Sequence, residues 1–267
     1  MNNKLYNAKK SKNDEFYTLY EDIEKELENY ITELKDKIIY CNCDNENSNF
    51  VKYFKNNKNK IGYKKLLYSG IGCGGKFEDN IELLKECDIV ITNPPFSLFR
   101  QFVNLLYKYD KKFIIIGNMN AITYKEIFKL IKNNKLWLGV SPRSMNFKLS
   151  DNSIKGVNAC WYTNLKHFKR NDKIILFKKY NENYYPYYDN YDAINVNKIK
   201  DIPLDFEGIM GVPITFLDKH NPKQFDILGI MNSGEENKGI RYENTPHGRP
   251  IIKGVEKYLR ILIKRIK

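Results

Sequence analysis

Cysteine and histidine are scarce in this sequence, which holds five cysteines and three histidines among 267 residues. The number of cysteines is odd, so they cannot all pair in a disulfide framework. Cys41 and Cys43 are separated by one residue, and no second thiol pair follows at the spacing of a zinc ribbon. We therefore expect reduced thiols and no bound metal.

Long apolar runs are also missing. The first residues, MNNKLYNAKKSKNDEF, contain no apolar segment of the kind found in signal peptides. No other run approaches the ~20 apolar residues that a membrane-spanning helix needs. These absences predict a cytoplasmic protein without a membrane segment.

Acidic residues are too few to balance the basic ones. The sequence has 45 Lys and Arg against 32 Asp and Glu, which gives a formal net charge of +13. One explanation is codon bias, because AT-rich genomes favour the Lys, Asn, Ile and Tyr codons in which this sequence is rich. The other is a polyanionic partner, since a basic excess is the electrostatic footprint of nucleic-acid binding.

Helical periodicity appears early in the chain. Apolar residues recur every three or four positions from Phe16 to Leu34, with charged residues between them, which predicts an amphipathic helix. Ser48 and Ser97 each precede another helical pattern and are candidate N-caps.

Strand patterns alternate with helical patterns from about residue 37 to residue 132. This alternation predicts a parallel β-sheet that is covered by helices on both faces. Two further strands, at 136–140 and 157–165, have no helical pattern between them and predict an antiparallel finish to the same sheet. The fold class is therefore α/β.

The pattern changes after about residue 170. A segment rich in Tyr and Asn follows, with little periodicity, and then several short strands. We predict a core in residues 1–170 and a smaller strand-rich region in residues 171–267.

The segment DIVITNPPFSLF, residues 88–99, ends an apolar strand abruptly. In open α/β sheets, ligands bind beyond the C-terminal ends of the strands, and Asn93 lies at such an end. Pro94 and Pro95 each fix φ and lack an N–H donor. The side-chain oxygen of Asn93 and the carbonyl oxygen of Pro94 are thus two acceptors on a rigid turn, and Phe96 adds an aromatic face.

Two acceptors suit a primary amino group such as the exocyclic amine of a nucleobase. Holding both hydrogens favours a pyramidal nitrogen whose lone pair can attack an electrophile. A base in duplex DNA has to leave the stack to reach such a site. The alternative is a purely structural turn, because prolines also terminate strands.

Asn93-Pro94-Pro95-Phe96 resembles the catalytic motif of S-adenosylmethionine-dependent amino methyltransferases. The wider sequence resembles one branch of them, the EcoRI-type adenine-specific DNA methyltransferases. The resemblance covers most of the chain and is carried by NDEFYT (13–18), YCNCDNENSNFVKYF (40–54), DIVITNPPFSLFRQFV (88–103), KKFIIIGNMNAITYKEIF (111–128), YYDNYDAINV (187–196) and MGVPITFLDKHNPKQFDILG (210–229). It implies a Rossmann-like class I methyltransferase core followed by a DNA target-recognition region.

The resemblance also implies roles for individual residues. Asn93 and Pro94 would hold the adenine N6, Pro95 would fix the turn, and Phe96 would stack on the flipped base. S-adenosylmethionine would bind at residues from three segments of the chain: Tyr17, Thr18, Cys41, Asn42, Cys43, Asp44, Phe77 and Glu78.

The sequence departs from the wider methyltransferase pattern on the cofactor side. Lys76 stands before Phe77 where an acidic residue is usual, so Glu78 or Asp79 is the substitute candidate. No acid ends the strand LLYSG, and Asp44 is the replacement candidate for binding the ribose. The segment GIGCGG (70–75) does not have the G-x-G-x-x-G spacing of a dinucleotide loop, and we predict a flexible loop beside the site.

The last 35 residues hold nine Lys and Arg against four Asp and Glu. Arg241, Asn244 and Arg249 lie in a loop-like stretch of this region and are candidates for contact with base edges or phosphates. A solvated basic loop is the alternative.

The function predicted from the sequence is therefore adenine-N6 methylation of double-stranded DNA by a monomer, with a possible restriction endonuclease counterpart. One alternative is N-methylation of RNA bases or of protein glutamine, because the same tetrapeptide serves those reactions. A second alternative is an inactive relative that binds DNA or nucleotides.

Overall fold

A computed structural model of the chain describes residues 17–69, 80–141, 143–232, 239–242 and 248–266. The chain divides into two compact units. The first comprises Met1–Ile127 and Leu136–His167, and the second comprises Phe128–Lys135 and Phe168–Lys267.

A six-stranded sheet is the centre of the first unit. Its strands are β2 (Ile38–Cys41), β3 (Lys65–Tyr68), β4 (Ile89–Thr92), β5 (Lys112–Asn118), β6 (Trp137–Leu138) and β9 (Ala159–Thr163). The order across the sheet is β3-β2-β4-β5-β9-β6. The first four strands are parallel, and β9 is antiparallel to both β5 and β6. The predicted parallel sheet with an antiparallel finish is confirmed.

The strand order creates a crevice in this sheet. β2 lies between β3 and β4. The chain therefore passes from β2 to β3 on one side of it and then crosses to β4 on the other side. The C-terminal ends of β2 and β4 therefore flank a topological switch point, which is where open α/β sheets bind ligands. Asp44 follows β2, and Asn93 directly follows β4.

Seven α-helices are described. They are α1 (Tyr20–Leu27), α2 (Ile31–Leu34), α3 (Asn49–Asn56), α4 (Lys58–Ile61), α5 (Ile81–Glu86), α6 (Phe99–Lys108) and α7 (Lys125–Lys132). The predicted cap at Ser48 is confirmed, because its Oγ accepts a hydrogen bond of 3.2 Å from the Val51 N–H in the first turn of α3. The predicted cap at Ser97 is wrong, since Ser97 lies inside a 3-10 turn and α6 begins two residues later.

The predicted helix from Phe16 to Leu34 is interrupted in its described part, from which Phe16 itself is absent. Tyr17–Thr18 forms a short strand, β1, and α1 begins only at Tyr20, because Leu19 has an extended backbone. A 3-10 turn, Glu28–Tyr30, then separates α1 from α2. The apolar face is nevertheless continuous, because every apolar residue of the pattern from Ile23 to Leu34 except Ile31 is fully buried.

Both faces of the large sheet are buried. Side chains alternate along a strand, so Ile39, Ile91 and Ile114 lie on one face, where they form a core with α1 and α3. On the other face, Phe99 of α6 packs against Tyr162 of β9, with ring centroids 4.8 Å apart. Burial on both sides explains why these strands are almost entirely apolar.

A second, small sheet was not predicted from the sequence. β7 (Met145–Lys148) and β8 (Ile154–Val157) form an antiparallel hairpin, and β1 joins its edge in the order β1-β7-β8. Thr18 pairs with Phe147 in this sheet. The segment before α1 is thus tied to a hairpin that lies more than a hundred residues later in the chain.

The second unit is rich in short strands, as predicted. Its main sheet has the strands β10 (Ile194–Asn195), β11 (Met210–Pro213), β12 (Phe225–Ile230) and β15 (Arg260–Arg265), in the order β10-β11-β15-β12. A separate hairpin is formed by β13 (Ile251–Ile252) and β14 (Val255–Glu256).

Two kinds of feature are missing from the part of the chain that the structure describes. None of its helices has both the length and the apolar character that crossing a membrane requires. Its His, Cys, Asp and Glu residues do not gather into a group of three or more that could hold a metal ion.

Candidate active site

A cavity of about 560 Å³ lies in the first unit at the C-terminal ends of β2 and β4. This volume falls in the range of about 300–1,000 Å³ that is usual for small-molecule sites. Its walls come from β1, the loop after β2, the start of α3, the first residue after β4, and the turn between β7 and β8. The lining residues are Tyr17, Thr18, Cys43, Asp44, Asn45, Asn47, Ser48, Asn49, Phe50, Lys52, Asn93, Lys148, Leu149, Ser150 and Asn152.

Asp44 places a buried carboxyl group in the cavity wall. Only 8% of the residue is exposed. Burial disfavours the charged form and raises the pKa of Asp44 to about 6, although hydrogen bonds from Thr92 and Ser48 act in the opposite direction. A carboxylate held in this state is well suited to a cationic ligand, because a bound cation offsets the unfavourable burial of the negative charge.

The hydroxyl group of Thr92 connects the two strand ends. Its Oγ1 donates a hydrogen bond of 2.6 Å to Asp44 Oδ2 and accepts one of 3.1 Å from the Cys43 N–H. Thr92 is fully buried and is the residue before Asn93. The loop after β2 and the turn after β4 therefore share one polar anchor.

β1 contributes a second polar group to the cavity. The carbonyl oxygen of Thr18 accepts a hydrogen bond of 2.8 Å from Asn49 Nδ2 at the start of α3. The hydroxyl group of Thr18 is buried, and within the described residues it has no hydrogen-bond partner. Buried hydroxyl groups are rarely left unsatisfied, so this one needs a partner beyond the described residues.

The Asn93-Pro94-Pro95-Phe96 turn is held from both ends. Pro94 is buried, and the Pro95 carbonyl accepts a hydrogen bond of 2.9 Å from the Leu98 N–H, which starts the 3-10 turn. The ring of Phe96 is only partly buried and meets Phe147 edge to face, with centroids 6.2 Å apart. Phe147 is itself fully buried in β7, so it fixes one side of the Phe96 ring.

The structure brings five of the predicted site residues together around the cavity: Tyr17, Thr18, Cys43, Asp44 and Asn93. Five others are not among the lining residues: Pro94, Pro95 and Phe96 of the turn after β4, and Cys41 and Asn42. Cys41 is fully buried, and burial raises the pKa of its thiol well above the usual value. Asn42 is also buried, and its amide donates to the Tyr40 hydroxyl at 2.9 Å. Phe77, Glu78 and the GIGCGG loop lie outside the described residues.

Two features of this site escaped the sequence reasoning. In the sequence Thr92 is an ordinary strand residue, and only its position before Asn93 indicates that it could belong to the site. The cavity wall formed by the turn after β7 had a sequence signal, since FKLSDNSIKG has polar turn residues between two short alternating segments. Its pairing with β1 depends on tertiary structure and has no local signature.

The candidate DNA-contact residues lie in the second unit. Arg241 is partly exposed, and its guanidinium donates to the Asn232 carbonyl oxygen at 3.1 Å. Arg249 has an exposed side chain, which forms an ion pair of 3.2 Å with Glu256. Asn244 lies outside the described residues.

Known proteins are similar to this chain over nearly its whole length. The sequence profile of the family described as "Adenine-specific methyltransferase EcoRI" matches residues 4–72 and 71–266. The Type II methyltransferase M.EcoRI of Escherichia coli is 44% identical in an alignment of 325 positions, which covers 98% of this chain and 96% of that protein. M.MgeORF184P of Mycoplasma genitalium and M.MpnI of Mycoplasma pneumoniae, also Type II methyltransferases, are 35% and 37% identical, each with 97% of both chains covered.

Proposed function

The chain belongs to the family of the EcoRI adenine-specific methyltransferases, and we propose that it uses S-adenosylmethionine to methylate an adenine held at Asn93-Pro94-Pro95-Phe96. It is a site-specific DNA methyltransferase of a restriction-modification type. The first unit acts as a Rossmann-like class I methyltransferase core, and residues 171–267 act as the target-recognition region.

One observation carries this proposal. The cavity that contains the Asp44 carboxyl group also reaches Asn93, and the hydroxyl group of Thr92 joins the two segments. A cofactor site and an acceptor turn therefore meet at the switch point of one sheet. A methyl group has to pass between two molecules that are held in contact, and such positioning is a large part of catalysis.

The cavity residues suit S-adenosylmethionine, which supplies an electrophilic methyl group on a sulfonium centre when it is bound. Asp44 offers a carboxylate to the cationic groups of the cofactor or to its ribose. Thr18 offers a buried hydroxyl group that needs a partner. Cys43 and Tyr17 also line the cavity. Phe77 and Glu78 remain candidates for the adenine end of the cofactor.

The turn after β4 performs the catalytic positioning. Asn93 Oδ1 and the Pro94 carbonyl oxygen accept the two N6 hydrogens of the target adenine, which directs the nitrogen lone pair towards the cofactor side. Phe96 stacks on the base, and its contact with Phe147 keeps the ring from turning away. Asn93 is not a base, so the amine attacks while neutral and loses its proton afterwards, when the nitrogen is cationic and acidic.

The substrate is duplex DNA, from which the adenine is flipped out. Arg241, Asn244 and Arg249 contact bases or phosphates in this proposal. In this proposal the enzyme acts as a monomer in the cytoplasm, and its counterpart is a restriction endonuclease of the same system. The net charge of +13 supports a polyanionic substrate.

The test compares Asn93→Ala with Asn120→Ala, which changes an exposed asparagine near the end of β5. Transfer of tritiated methyl groups from S-adenosylmethionine to DNA, RNA and protein is measured, together with cofactor affinity by calorimetry. We expect Asn93→Ala to lose methylation of DNA and to keep cofactor binding, while Asn120→Ala keeps both. Near-normal turnover in Asn93→Ala, or labelling of RNA or protein instead of DNA, contradicts the proposal.

A further inference from the structure

Residues 173–179 of the second unit, called the Lys173–Lys179 strip here, form an extended segment that other parts of the unit hold in place. The Ile174 N–H donates to Gln224 Oε1 at 2.9 Å, and the Ile174 carbonyl oxygen accepts from Gln224 Nε2 at 2.8 Å. Further along, the Lys178 carbonyl oxygen accepts a 2.9 Å hydrogen bond from the Leu204 N–H. The backbone is therefore fixed at both ends.

Exposure alternates along this strip. Lys173, Ile175, Phe177 and Lys179 are exposed, whereas the residues between them are only partly exposed. Ile175 has 82% of its surface in solvent and Phe177 has 61%. Because side chains of an extended segment alternate in direction, these four side chains project from the same side.

Exposed apolar side chains on a fixed backbone indicate a contact surface. A single exposed apolar residue is common, but two large neighbours on one side of a held segment form a patch that favours a partner. The side chain of Lys178, between Phe177 and Lys179, is held separately, because its Nζ donates a hydrogen bond of 3.2 Å to the Tyr184 hydroxyl group. Lys178 also lies over the Tyr184 ring, 4.7 Å from its centroid.

The charges of the strip identify the partner. Residues 173–179 contain three lysines and no acidic residue, and Lys178 already forms an ion pair of 2.8 Å with Asp201. Lys173 and Lys179 thus present positive charge on either side of an apolar centre. Six residues of extended chain span about 20 Å, which equals the axial rise of about six base pairs. A duplex offers phosphates at such separations, with sugars and base edges between them.

We propose that the Lys173–Lys179 strip is a DNA-contact surface, on which Lys173 and Lys179 bind phosphates while Ile175 and Phe177 pack against sugars and base edges. The proposal rests on the proposed function and adds a contact surface to it. The Lys173–Lys179 strip differs from the candidates Arg241, Asn244 and Arg249, because its central residues contact DNA through apolar packing and not through polar or charged groups.

The experiment measures binding of a fluorescent DNA duplex of randomised sequence at several salt concentrations. The variants are Ile175→Ala, Phe177→Ala, their combination, and Lys173→Gln with Lys179→Gln. Tyr258→Ala is the matched control, since Tyr258 is an 84% exposed aromatic residue of the same unit outside the strip. Cofactor affinity and thermal unfolding are measured for every variant.

The apolar and the lysine variants are expected to differ in salt dependence. The Ile175→Ala/Phe177→Ala combination should weaken duplex binding by about tenfold or more at every salt concentration, with an unchanged salt slope, since packing releases no counterions. The two lysine substitutions together should reduce the salt slope by about two. Tyr258→Ala should behave as the unchanged protein, and cofactor affinity should be equal in all of them.

Two results overturn the inference. One is duplex affinity and salt slope equal to those of the unchanged protein in both the apolar and the lysine variants. The other is a dimer of the unchanged protein in analytical ultracentrifugation that the apolar combination converts to monomers, because the strip would then join two copies of the chain. Failure of the proposed function is distinguishable, since it appears as absent DNA methylation by the unchanged protein.

Discussion

Thr92 Oγ1 lies 2.6 Å from Asp44 Oδ2 and donates a hydrogen bond to it. The same oxygen accepts the Cys43 N–H at 3.1 Å. One hydroxyl group therefore joins the loop after β2 to the turn after β4. Asp44 and Asn93 both line the cavity, and Asn93 follows Thr92 in the chain, so a change at Thr92 should affect both halves of the site.

Thr92→Val removes both hydrogen bonds and keeps the side-chain shape. Since each bond contributes about 1 kcal/mol, we expect cofactor affinity to fall about tenfold and turnover to fall with it. The hydrogen bond from Thr92 lowers the pKa of Asp44, so the pH midpoint of cofactor binding should also move upwards. Calorimetry at several pH values measures both effects.

Thr92→Ser is the matched control, because serine keeps the hydroxyl group. It should retain most of the affinity and the original pH midpoint. If Thr92→Val binds the cofactor with unchanged affinity and pH dependence, the two hydrogen bonds of Thr92 do not contribute to cofactor binding.

Cofactor binding should weaken in mild acid. The pKa of Asp44 is about 6, because burial disfavours its charged form. As the pH falls below 6 the carboxylate is protonated and loses its attraction for a cationic ligand, so affinity should drop by up to about tenfold per pH unit. Asp44→Asn should bind more weakly at pH 8 and show little change between pH 8 and pH 5. Equal pH dependence in both proteins argues against Asp44 as a cofactor ligand.

The same carboxyl group should lower the stability of the cofactor-free protein at neutral pH. Its pKa is higher in the folded protein than its usual value of 3.8. A proton is therefore bound more tightly in the folded state, so the stabilising contribution is complete below pH 3.8 and is lost as the pH rises through about 6. The charged form lowers the free energy of unfolding by up to about 3 kcal/mol above pH 6.

Thermal unfolding of cofactor-free Asp44→Asn tests this effect. The variant should unfold at a higher temperature than the unchanged protein at pH 8, and the difference should shrink at pH 4. A variant that is less stable than the unchanged protein at pH 8 contradicts the prediction.

Glu26 is a second buried carboxyl group, and its role is structural. It is fully buried in α1 and accepts hydrogen bonds from the Tyr30 hydroxyl at 2.8 Å, the Val140 N–H at 2.8 Å and the Ser141 N–H at 2.6 Å. It thereby ties α1 to the segment that follows β6. A Cβ atom at Gly139 would collide with the Glu26 carboxylate, so this segment needs glycine there.

Glu26→Ala should lower the free energy of unfolding by about 3–5 kcal/mol, because the buried Val140 N–H, the partly buried Ser141 N–H and the Tyr30 hydroxyl group lose their acceptor. Glu28→Ala is the matched control. Glu28 is half exposed and pairs with Lys60 at 2.6 Å, so its loss should change stability by no more than about 1 kcal/mol. Urea unfolding measures both, and equal effects of the two substitutions would contradict the assignment.

The parts of the fold that repeat a local pattern could be predicted from the sequence. The alternation of strands and helices predicted the parallel sheet, and Ser48 predicted the start of α3, because both depend on neighbouring residues. Asn93 could be singled out because two prolines and a phenylalanine follow it. The helix expected at Phe16 failed at Tyr17–Thr18, where pairing with Phe147 overrides the local apolar periodicity.

The parts that depend on contacts across the chain could not be predicted. The acceptor in the Thr92–Asp44 hydrogen bond is 48 residues away from its donor. Glu26 meets Val140 across 114 residues. Asp44 could be proposed as a cofactor ligand from its position after a strand, but its raised pKa follows from burial that only the folded structure contains.

The central claim is that this chain methylates adenine N6 in DNA and that Asn93 is essential. The most direct measurement is single-molecule sequencing of DNA from cells that express either the unchanged protein or Asn93→Ala. We predict N6-methyladenine at one recurring sequence with the unchanged protein and none above background with Asn93→Ala. Methylation at that sequence by Asn93→Ala, or no N6-methyladenine with the unchanged protein, would contradict the account.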